Sequence, residues 1–565
     1  MRREGRVYIT GTQALIRLML EQAALDRDAG LATAGFATGY RGSPLGGVDQ
    51  EFWRAGKLVE SAGIRFQPAI NEELAATAIM GSQQVECDPQ AKVKGVFALW
   101  YGKGPGVDRS GDALKHGNAY GSSPHGGVLV VAGDDHGCVS SSMSHQSDHA
   151  MMAWSMPVLH PASIGEYLEF GLWGFAASRF SGAWVGFKAI SETVESAASI
   201  ELGARPRFSI PRDFTPPPGG LHNRWPDYPS PAIEARLEHK LAAVRAFARA
   251  NPIDRIVIGC ERPRLVIVTV GKAHSDVMEA LRVGGLEPER LAAAGVAVLK
   301  LGLIFPIECE GILRLAEGAD EILVIEEKGA VVETQLKDLL FNMAADRRPR
   351  ILGKCDEAGA PLVPTVTELR PSRIAPVLSA RLARLDLHLA TPESWRRASE
   401  PAPAGHPVRT PYFCPGCPHN SSTRIPEGSR AFAGIGCHFM ASWMGRDTSR
   451  LIQMGGEGVN WVGHAPFTHA THVFQNLGDG TFFHSGHMAI RQAVAAGVNI
   501  TYKVLYNDAV AMTGGQPVDG TLTVPQITRQ LAAEGVARIA VVSDEPWKYD
   551  STDAFAPGVT VHHRD

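Results

Sequence analysis

The strongest chemical signal in the sequence is Gly478-Asp479-Gly480, with Asn507 further along the chain. A diphosphate is usually bound together with Mg²⁺, a hard cation that prefers octahedral oxygen ligands. Asp479 would supply a carboxylate oxygen, Asn507 an amide oxygen and Ala509 a backbone carbonyl. The two glycines would let the backbone approach the ligand closely. A strand-ending Gly-Asp-Gly is often only a turn, so the spacing to Asn507 carries the prediction of a diphosphate and magnesium site.

These residues are predicted to follow two neighbouring strands. Residues 472–477 are predicted to form a strand that leads into the Gly-Asp-Gly turn, and residues 500–506 the next strand. A helical pattern over 485–496 lies between them, with Gly497 where a C-terminal cap belongs. Open α/β sheets bind ligands at the carboxyl ends of their strands. A helix that opens near Ser485 would also direct free N–H groups at phosphate.

Three of the eight cysteines are clustered, namely Cys414, Cys417 and Cys437. Thiolates at Cys-x-x-Cys spacing are typical ligands of zinc or of an iron–sulfur cluster. One alternative is a zinc site that adds His419 or His438, and another is a set of thiols without any metal. The other cysteines are dispersed, as expected for small buried apolar residues rather than for a disulfide framework.

Short β-branched runs alternate with helical patterns along the chain, which indicates α/β domains. The strand runs are continuously apolar, as in parallel sheets that are buried on both faces. The clearest predicted strands cover 128–134, 265–271 and 321–327, and the clearest predicted helices cover 11–27, 275–283 and 485–496.

Two segments rich in proline and glycine, 204–231 and 400–407, mark predicted boundaries. A length of 565 residues suggests about three or four domains. The predicted division is a first domain over 1–200, a second over 230–365, a connector over 366–407 and a third over 408–565.

The bulk composition excludes several functional classes. The hydrophobic fraction is 44%, the charged fraction 20% and the formal net charge −4. The scattered Lys and Arg residues form no basic patch, so nucleic acid is not an expected partner. No apolar run approaches the length of a membrane-spanning helix, and the basic start lacks a secretory apolar region, so we expect a cytoplasmic protein with no membrane contact.

Four segments together resemble the 2-oxoacid:ferredoxin oxidoreductases. They are the run Cys-Pro-Gly-Cys-Pro-His at 414–419, Gly-Ile-Gly-Cys at 434–437, the Gly-Asp-Gly and Asn pair, and Met-Thr-Gly-Gly-Gln-Pro at 512–517. The match is to the indolepyruvate-type members, either the alpha-type half or the N-terminal part of the long fused bacterial form. It implies two doubly wound thiamine-diphosphate-binding domains, pyrimidine-type and diphosphate-type, with a transketolase C-terminal-like domain between them.

The resemblance also implies the cofactors. Thiamine diphosphate and Mg²⁺ would be held by the residues of the Gly-Asp-Gly site together with Gly436, His438 and Thr513. A [4Fe–4S] cluster would be held by the three clustered cysteines. The family's fourth cysteine lies further along this domain, and no cysteine follows Cys437 here. The chain is therefore truncated, or another chain supplies the fourth ligand, or the cluster is incomplete.

A thiamine enzyme also needs a carboxylate at the pyrimidine end of its cofactor, where it favours the tautomer that removes the thiazolium C2 proton. Glu72 and Glu73, which follow Asn71 and precede an Ala-rich helical pattern, are the candidates. Their alternative role is structural, because Asn is a good N-cap and Glu in the first turn complements the helix dipole. The resemblance favours the functional reading and selects Glu72.

Residues 40–44 resemble the family's substrate loop, in which Thr is usual where Ser43 stands. The Ser43 hydroxyl would hydrogen-bond the oxo acid, although the same residues also suit an ordinary turn. Arg41 departs from the usual Pro and, like Arg109, could pair with the substrate carboxylate. A surface salt bridge is the alternative for both arginines. The polar residues 133–147 are expected to line the site.

The expected function is oxidative decarboxylation of a 2-oxo acid, in particular an arylpyruvate such as indolepyruvate. Coenzyme A would collect the acyl group, and electrons would pass through the cluster to ferredoxin. The expected partners are a gamma-type oxidoreductase domain or subunit and a second copy of the chain in a dimeric assembly. Two alternatives stay open: a non-oxidative thiamine decarboxylase or carboligase, and a scaffold subunit without catalysis.

Overall fold

The computed structural model of the chain describes residues 4–398, 410–549 and 554–564. The chain divides into two compact units, one on each side of the segment 399–409. We call residues 4–398 the N-terminal unit and the remaining described residues the C-terminal unit. The strands of the N-terminal unit are β1 (Gly5–Thr10), β2 (Ala34–Gly39), β3 (Ile64–Phe66), β4 (Val96–Lys103), β5 (Val128–Gly133), β6 (Val158–Leu159), β7 (Trp184–Lys188), β8 (Ala197–Leu202), β9 (Arg255–Ile258), β10 (Leu265–Val270), β11 (Val296–Leu301), β12 (Leu303–Phe305), β13 (Glu321–Ile325) and β14 (Arg350–Leu352).

The first helix of this unit, α1, is capped at its start by a capping box that Thr10 and Gln13 form. Its predicted range, 11–27, is confirmed to within one residue. The helices are α1 (Gly11–Asp28), α2 (Val48–Ser61), α3 (Glu72–Gln83), α4 (Gly104–Arg109), α5 (Gly111–Tyr120), α6 (Asp148–Ala153), α7 (Ile164–Ser181), α8 (Ser191–Val194), α9 (Pro231–Ala250), α10 (Lys272–Val283), α11 (Pro288–Ala293), α12 (Cys309–Ala316), α13 (Val332–Phe341), α14 (Pro371–Leu382) and α15 (Glu393–Ala398).

The larger sheet of the N-terminal unit has seven strands in the order β12-β6-β7-β5-β4-β2-β3, and all neighbours are parallel except β12 and β6. Successive residues of a strand point to opposite faces. Phe97, Leu99 and Tyr101 of β4 accordingly enter one apolar core with α1 and α7, whereas Ala98 and Trp100 enter another with α3. Both faces of the sheet are therefore covered, as its apolar sequence predicts.

A second sheet has the order β14-β13-β10-β11-β9, and only β9 is antiparallel to its neighbour. Part of the segment predicted as a connector is folded onto this sheet, because α14 contributes Ile374 and Leu378 to its core. Strand β12 lies within the predicted second domain, yet it pairs with β6 of the first sheet. The predicted domain limits stay predictions, and the segment 399–409 lies outside the described residues.

The C-terminal unit contains a four-stranded parallel sheet in the order β16-β15-β17-β18 and a separate parallel pair, β19 and β20. Only Leu505 of β18 is buried, unlike the fully buried strand β5. The strands are β15 (Ala431–Phe432), β16 (Thr448–Ser449), β17 (Val473–Gly478), β18 (Ile500–Leu505), β19 (Ala540–Ser543) and β20 (Thr560–His563), and the helices are α16 (His419–Ser422), α17 (Val459–His464), α18 (Asp479–Thr481), α19 (His487–Ala495) and α20 (Val524–Ala533).

The predicted α/β class with parallel sheets is thus confirmed. Within the described ranges, no helix combines the length and the apolar character that crossing a membrane would require.

Candidate active site

The residues around the Gly-Asp-Gly turn lie at the carboxyl edge of the C-terminal sheet. Strands β17 and β18 are parallel neighbours, and their register pairs Gly478 with Leu505. Asp479 and Asn507 therefore follow adjacent strand ends, which confirms the predicted topology.

Asp479 is 3% exposed and is held by the backbone of the next turn. Its Oδ2 accepts hydrogen bonds from the N–H groups of Asn507, at 2.8 Å, and Asp508, at 2.7 Å. Its Oδ1 accepts one from Gly480 N, at 2.8 Å. The Asn507 side-chain oxygen accepts a longer one from Ala509 N, at 3.2 Å. These bonds draw two oxygen-bearing side chains into one turn.

Burial raises the pKa of the Asp479 carboxyl, and the backbone N–H groups of Asn507 and Gly480 oppose that rise. A divalent cation at this carboxylate would likewise favour its charged form. The donors present, a carboxylate, an amide oxygen and a backbone carbonyl, are those that Mg²⁺ prefers. The residues at this site therefore fit the magnesium of a bound diphosphate.

The helix after the turn begins earlier than the sequence predicts. Helical backbone starts directly after Gly478, continues from α18 through a π-helical stretch, Phe482–Gly486, and runs into α19. Ser485 lies inside this stretch and is buried, so the predicted helix opening at Ser485 is wrong. Gly478 still has an extended backbone, and the Asp479 carboxylate caps the helix start by accepting from Gly480 N. Strand β17 therefore passes directly into the helix without a loop between them. The free N–H groups of the helix start thus lie at the Gly-Asp-Gly turn itself.

His438 lies beside the same turn. Burial lowers its pKa to about 3, and its Nε2 has no hydrogen-bond partner among the described residues. A Cβ added to Gly436 would lie 2.5 Å from His438 Cε1, and one added to Gly478 would lie 3.3 Å from it. The lack of side chains at these glycines lets a neutral imidazole approach the Gly-Asp-Gly turn.

Thr513 lies in the tight turn that follows β18. Its hydroxyl donates to Gln516 Oε1 at 2.6 Å, and an isolated antiparallel bridge closes the turn between Val510 and Gln516. A Cβ added to Gly480 would lie 3.6 Å from the Val510 side chain. The turn that carries Thr513 therefore packs beside the Gly-Asp-Gly site.

The three cysteines are neighbours without forming a closed metal site. Cys417 N donates to Cys414 O at 3.0 Å, and Cys437 opens a 3₁₀ helix, Cys437–Trp443. Burial raises the pKa of the Cys437 thiol, and the charges of Cys417 and Cys414 raise it further. Within residues 4–398, 410–549 and 554–564, no group of three or more His, Cys, Asp or Glu residues could hold a metal ion. Three thiols make an incomplete ligand set for a [4Fe–4S] cluster, and the zinc alternative gains no support.

In the N-terminal unit, Glu72 is the first residue of α3 and is 5% exposed, whereas Glu73 faces solvent. The Asn71 side chain accepts from Leu74 N at 2.9 Å, so its predicted N-cap role is confirmed. The Glu72 carbonyl accepts from Trp100 Nε1 at 2.9 Å. Of the two candidate glutamates, only Glu72 therefore points into the protein.

Two glycines make room for the Glu72 side chain. A Cβ added to Gly106 would lie 2.6 Å from Glu72 Oε1, and one added to Gly102 would lie 3.2 Å from Glu72 Cγ. The sequence reasoning missed these glycines. The alternation Gly102-Lys103-Gly104-Pro105-Gly106 was a usable signal, because alternating glycines at a strand end often mark a close approach.

The predicted substrate residues have different surroundings. Arg41 Nε donates to Asp49 Oδ2 at 2.9 Å, and both side chains are buried. The predicted alternative of a surface salt bridge is therefore wrong for Arg41, because the pair is buried, and this burial raises the pKa of Asp49. Ser43 Oγ donates to Glu195 Oε1 at 3.0 Å. Arg109 is half-buried at the end of α4, and its Nε has no hydrogen-bond partner among the described residues.

Sequence reasoning also missed a buried charge network at the ends of β5 and β7. Lys188 Nζ lies 2.7 Å from Asp148 Oδ2 and 3.1 Å from Asp134 Oδ2. Burial lowers the pKa of Lys188, but the two carboxylates outweigh it and the net direction is upward. Asp134 also accepts from Ser147 N and Ser147 Oγ. This network fixes both ends of the polar loop 134–147.

Two family models match parts of the chain. The model described as indolepyruvate oxidoreductase domain matches residues 255–391, and the one described as thiamine pyrophosphate enzyme, C-terminal TPP binding domain, matches residues 434–540. The second match includes Asp479, Asn507 and Thr513.

Curated relatives match over nearly the whole chain. The indolepyruvate oxidoreductase subunit IorA of Methanothermobacter marburgensis is 25% identical over 95% of this chain and 82% of its own length. The IorA subunit of Pyrococcus abyssi is 26% identical over 92% of this chain and 77% of its own.

Two solved structures are more distant. A 2-oxoglutarate:ferredoxin oxidoreductase from Magnetococcus marinus, with 2-oxoglutarate, coenzyme A and succinyl-CoA bound, has a TM-score of 0.47 and 15% identity over 68% of this chain and 66% of its own. A split-gene transketolase has a TM-score of 0.38 and 13% identity over 67% of this chain and 94% of its own.

Proposed function

We propose, from the premise that this chain is a homologue of the indolepyruvate oxidoreductase subunits IorA and a thiamine-pyrophosphate-dependent oxidoreductase, that it oxidatively decarboxylates a 2-oxo acid. An arylpyruvate such as indolepyruvate is the proposed substrate, and acyl-CoA and CO₂ are the products. Ferredoxin is the proposed electron acceptor. The observation that carries the proposal is the buried Asp479 carboxylate, which backbone N–H groups hold beside Asn507 at two adjacent strand ends.

The C-terminal unit is assigned to the diphosphate end of the cofactor. Asp479, Asn507 and the Ala509 carbonyl would bind Mg²⁺, and the N–H groups at the helix start would bind phosphate. Gly436, Gly478 and Gly480 leave space for the cofactor, and His438 and Thr513 lie beside it. Neutral His438 would offer a hydrogen bond without adding charge.

The N-terminal unit is assigned to activation and substrate binding. Thiamine diphosphate, when bound, supplies the carbanion-stabilising chemistry. Glu72 would hold a proton at the pyrimidine nitrogen, and its buried position would exclude water from that contact. The Ser43 hydroxyl would orient the oxo acid, and Arg109 would add positive charge near its carboxylate.

Electron transfer and assembly complete the proposal. Cys414, Cys417 and Cys437 do not form a metal-holding group in the structure. The proposal that they hold three positions of an iron–sulfur cluster therefore requires them to come closer together, with a fourth ligand from outside the described residues. Parallel sheets are normally buried on both faces, whereas only Leu505 of β18 is fully buried. This exposure supports a partner, either a gamma-type subunit or a second copy of the chain.

The test uses the full chain, purified without oxygen and supplied with thiamine diphosphate, Mg²⁺ and coenzyme A. We expect release of CO₂ from carboxyl-labelled arylpyruvate to be coupled to reduction of ferredoxin, together with bound iron and sulfide. Aldehyde formation without acceptor reduction would identify a non-oxidative decarboxylase instead. Absence of saturable thiamine diphosphate binding would identify a scaffold.

A further inference from the structure

Lys103 is the last residue of β4 and lies between two loops of the proposed site. Its register partner on β5 is Gly133, from which the loop 134–147 leaves. On the other side, β4 pairs with β2, from which the substrate loop 40–44 leaves. A Cβ added to Gly42 would lie 2.8 Å from Lys103 Cδ, so the lysine stem packs on that loop.

The ammonium group of Lys103 is weakly partnered. Among the described residues it makes one hydrogen bond, to Ser140 O at 3.4 Å, and no carboxylate lies within ion-pair distance. Two buried lysines of the same unit differ, since Lys188 has two close carboxylates and Lys240 donates to two carbonyls, at 2.5 and 3.0 Å. A half-buried cation with one long hydrogen bond retains most of its donor capacity.

Lys103 also lies next to Glu72. The glycines on either side of its segment, Gly102 and Gly106, both contact the Glu72 side chain. Burial lowers the pKa of Lys103, and the carboxylates of Asp135 and Glu72 oppose that effect. An anionic substrate that approached these two carboxylates would be repelled unless a cation lay among them.

We propose that Lys103 binds the carboxylate of the 2-oxo acid beside Glu72 and sets the requirement for a negatively charged substrate. The inference rests on the proposed function, because it takes the Glu72 region as the substrate site. Arg41 differs, because its side chain is buried and its Nε already donates to Asp49. Lys103 has no such ion pair to break before it binds an anion.

The test compares Lys103→Met, Lys103→Arg and the exposed Lys115→Met in the full chain with thiamine diphosphate and Mg²⁺. The probes are an unreactive arylpropionate, its neutral amide and the 2-oxo acid itself. Loss of a hydrogen-bonded charge pair should weaken arylpropionate binding and raise KM about 10- to 100-fold in Lys103→Met. Binding of the amide and of thiamine diphosphate should not change, Lys103→Arg should recover part of the loss, and Lys115→Met should behave as the parent chain.

Exchange of the thiamine C2 proton, measured without substrate, separates this role from an action on Glu72. Unchanged exchange supports the proposal, whereas slow exchange with unaltered arylpropionate affinity overturns it. An equal loss for arylpropionate and amide also overturns it. If the parent chain binds no thiamine diphosphate, the proposed function fails, but the arylpropionate and amide affinities still decide the role of Lys103. If Lys103→Met does not fold, Lys103→Gln provides the same comparison.

Discussion

The carboxylates of Glu72 and Asp479 are both buried at the first residue of a helix, yet they are held in opposite ways. Asp479 is held by backbone N–H groups of its own turn and of the neighbouring strand end. The Glu72 side chain lies against Gly102 and Gly106 of a different strand-to-helix segment. Backbone hydrogen bonds hold the first carboxylate, whereas two glycines across the sheet edge make room for the second.

This difference decides how each carboxylate responds to change. A carboxylate held by several N–H groups tolerates changes of nearby side chains but not the loss of its own oxygen atoms. A carboxylate placed by packing is sensitive to a single methyl group on the opposite backbone, because protein interiors have little spare volume.

The largest effect is expected from Glu72→Gln, which keeps the shape of the side chain and removes its acid–base function. Exchange of the thiamine C2 proton, followed by NMR, should slow about 1,000-fold, since a positioned proton-transfer group contributes on that order. Thermal stability should stay near that of the parent chain. The matched control is the exposed neighbour, Glu73→Gln, which should exchange normally. Unchanged exchange in Glu72→Gln would remove Glu72 from the mechanism.

The second effect tests the other side of the comparison. Asp479→Asn retains one oxygen for the backbone bonds but loses the charge, so thiamine diphosphate should bind about 100-fold more weakly in the presence of Mg²⁺. Calorimetric titration at several Mg²⁺ concentrations checks this, and the weakening should shrink when Mg²⁺ is omitted.

Asp508→Asn is the control for that prediction. Asp508 has a positive φ of 57°, a conformation that Asn also adopts readily. Its N–H donates to Asp479 in either variant, so cofactor affinity should be close to that of the parent chain. An equal loss in both variants would contradict a specific role for the Asp479 charge.

The same contrast explains what the sequence could predict. The strand, turn and strand around Asp479 are contiguous and have a recognisable spacing, so their meeting at one sheet edge was predictable. The helix start was not, because a buried π-helical stretch replaces the expected loop before Ser485. Fold class and most apolar strands followed from composition and run length.

Features that depend on distant packing were not predictable. Strand β12 pairs with β6 of the first sheet. This pairing depends on the edge of the folded sheet, and no residue type within β12 indicates it. Arg41 was expected to form a surface salt bridge, but it is buried together with Asp49. The charge of a residue alone does not show how far its side chain is buried. The role of Lys103 was not predicted, because a single lysine at a strand end indicates no function until its neighbours in the fold are known.

A third, smaller effect is the loss of stability at acidic pH that His438 causes. The pKa of His438 is about 3 in the folded protein and near 6.5 when unfolded, so the unfolded chain binds an additional proton between these values. Stability is therefore complete above pH 6.5 and falls as the pH drops, by about 2 kcal/mol between pH 7 and pH 5. Hydrogen exchange of β17 in the full chain, corrected for intrinsic rates, measures this change.

His438→Asn should remove that contribution to the pH dependence, whatever its effect on stability at pH 7. The exposed His469→Asn is the matched control and should retain the full dependence. If the opening free energy of β17 falls equally in His438→Asn and in the parent chain, another group is responsible for the acid sensitivity.

The smallest effect gives the most direct test of the contrast between packing and backbone bonding. Gly106→Ala places a methyl group 2.6 Å from the present position of Glu72 Oε1, so the carboxylate must move while the helix remains intact. Exchange of the thiamine C2 proton should slow about 10-fold, since removing about one-third of the free energy ascribed to the proton-transfer group corresponds to that factor. Gly81→Ala in α3 adds the same methyl group where nothing lies within 4 Å and should leave exchange unchanged. Normal exchange in Gly106→Ala would mean that packing against this glycine does not position Glu72. The contrast between a carboxylate placed by packing and one held by backbone N–H groups would then fail.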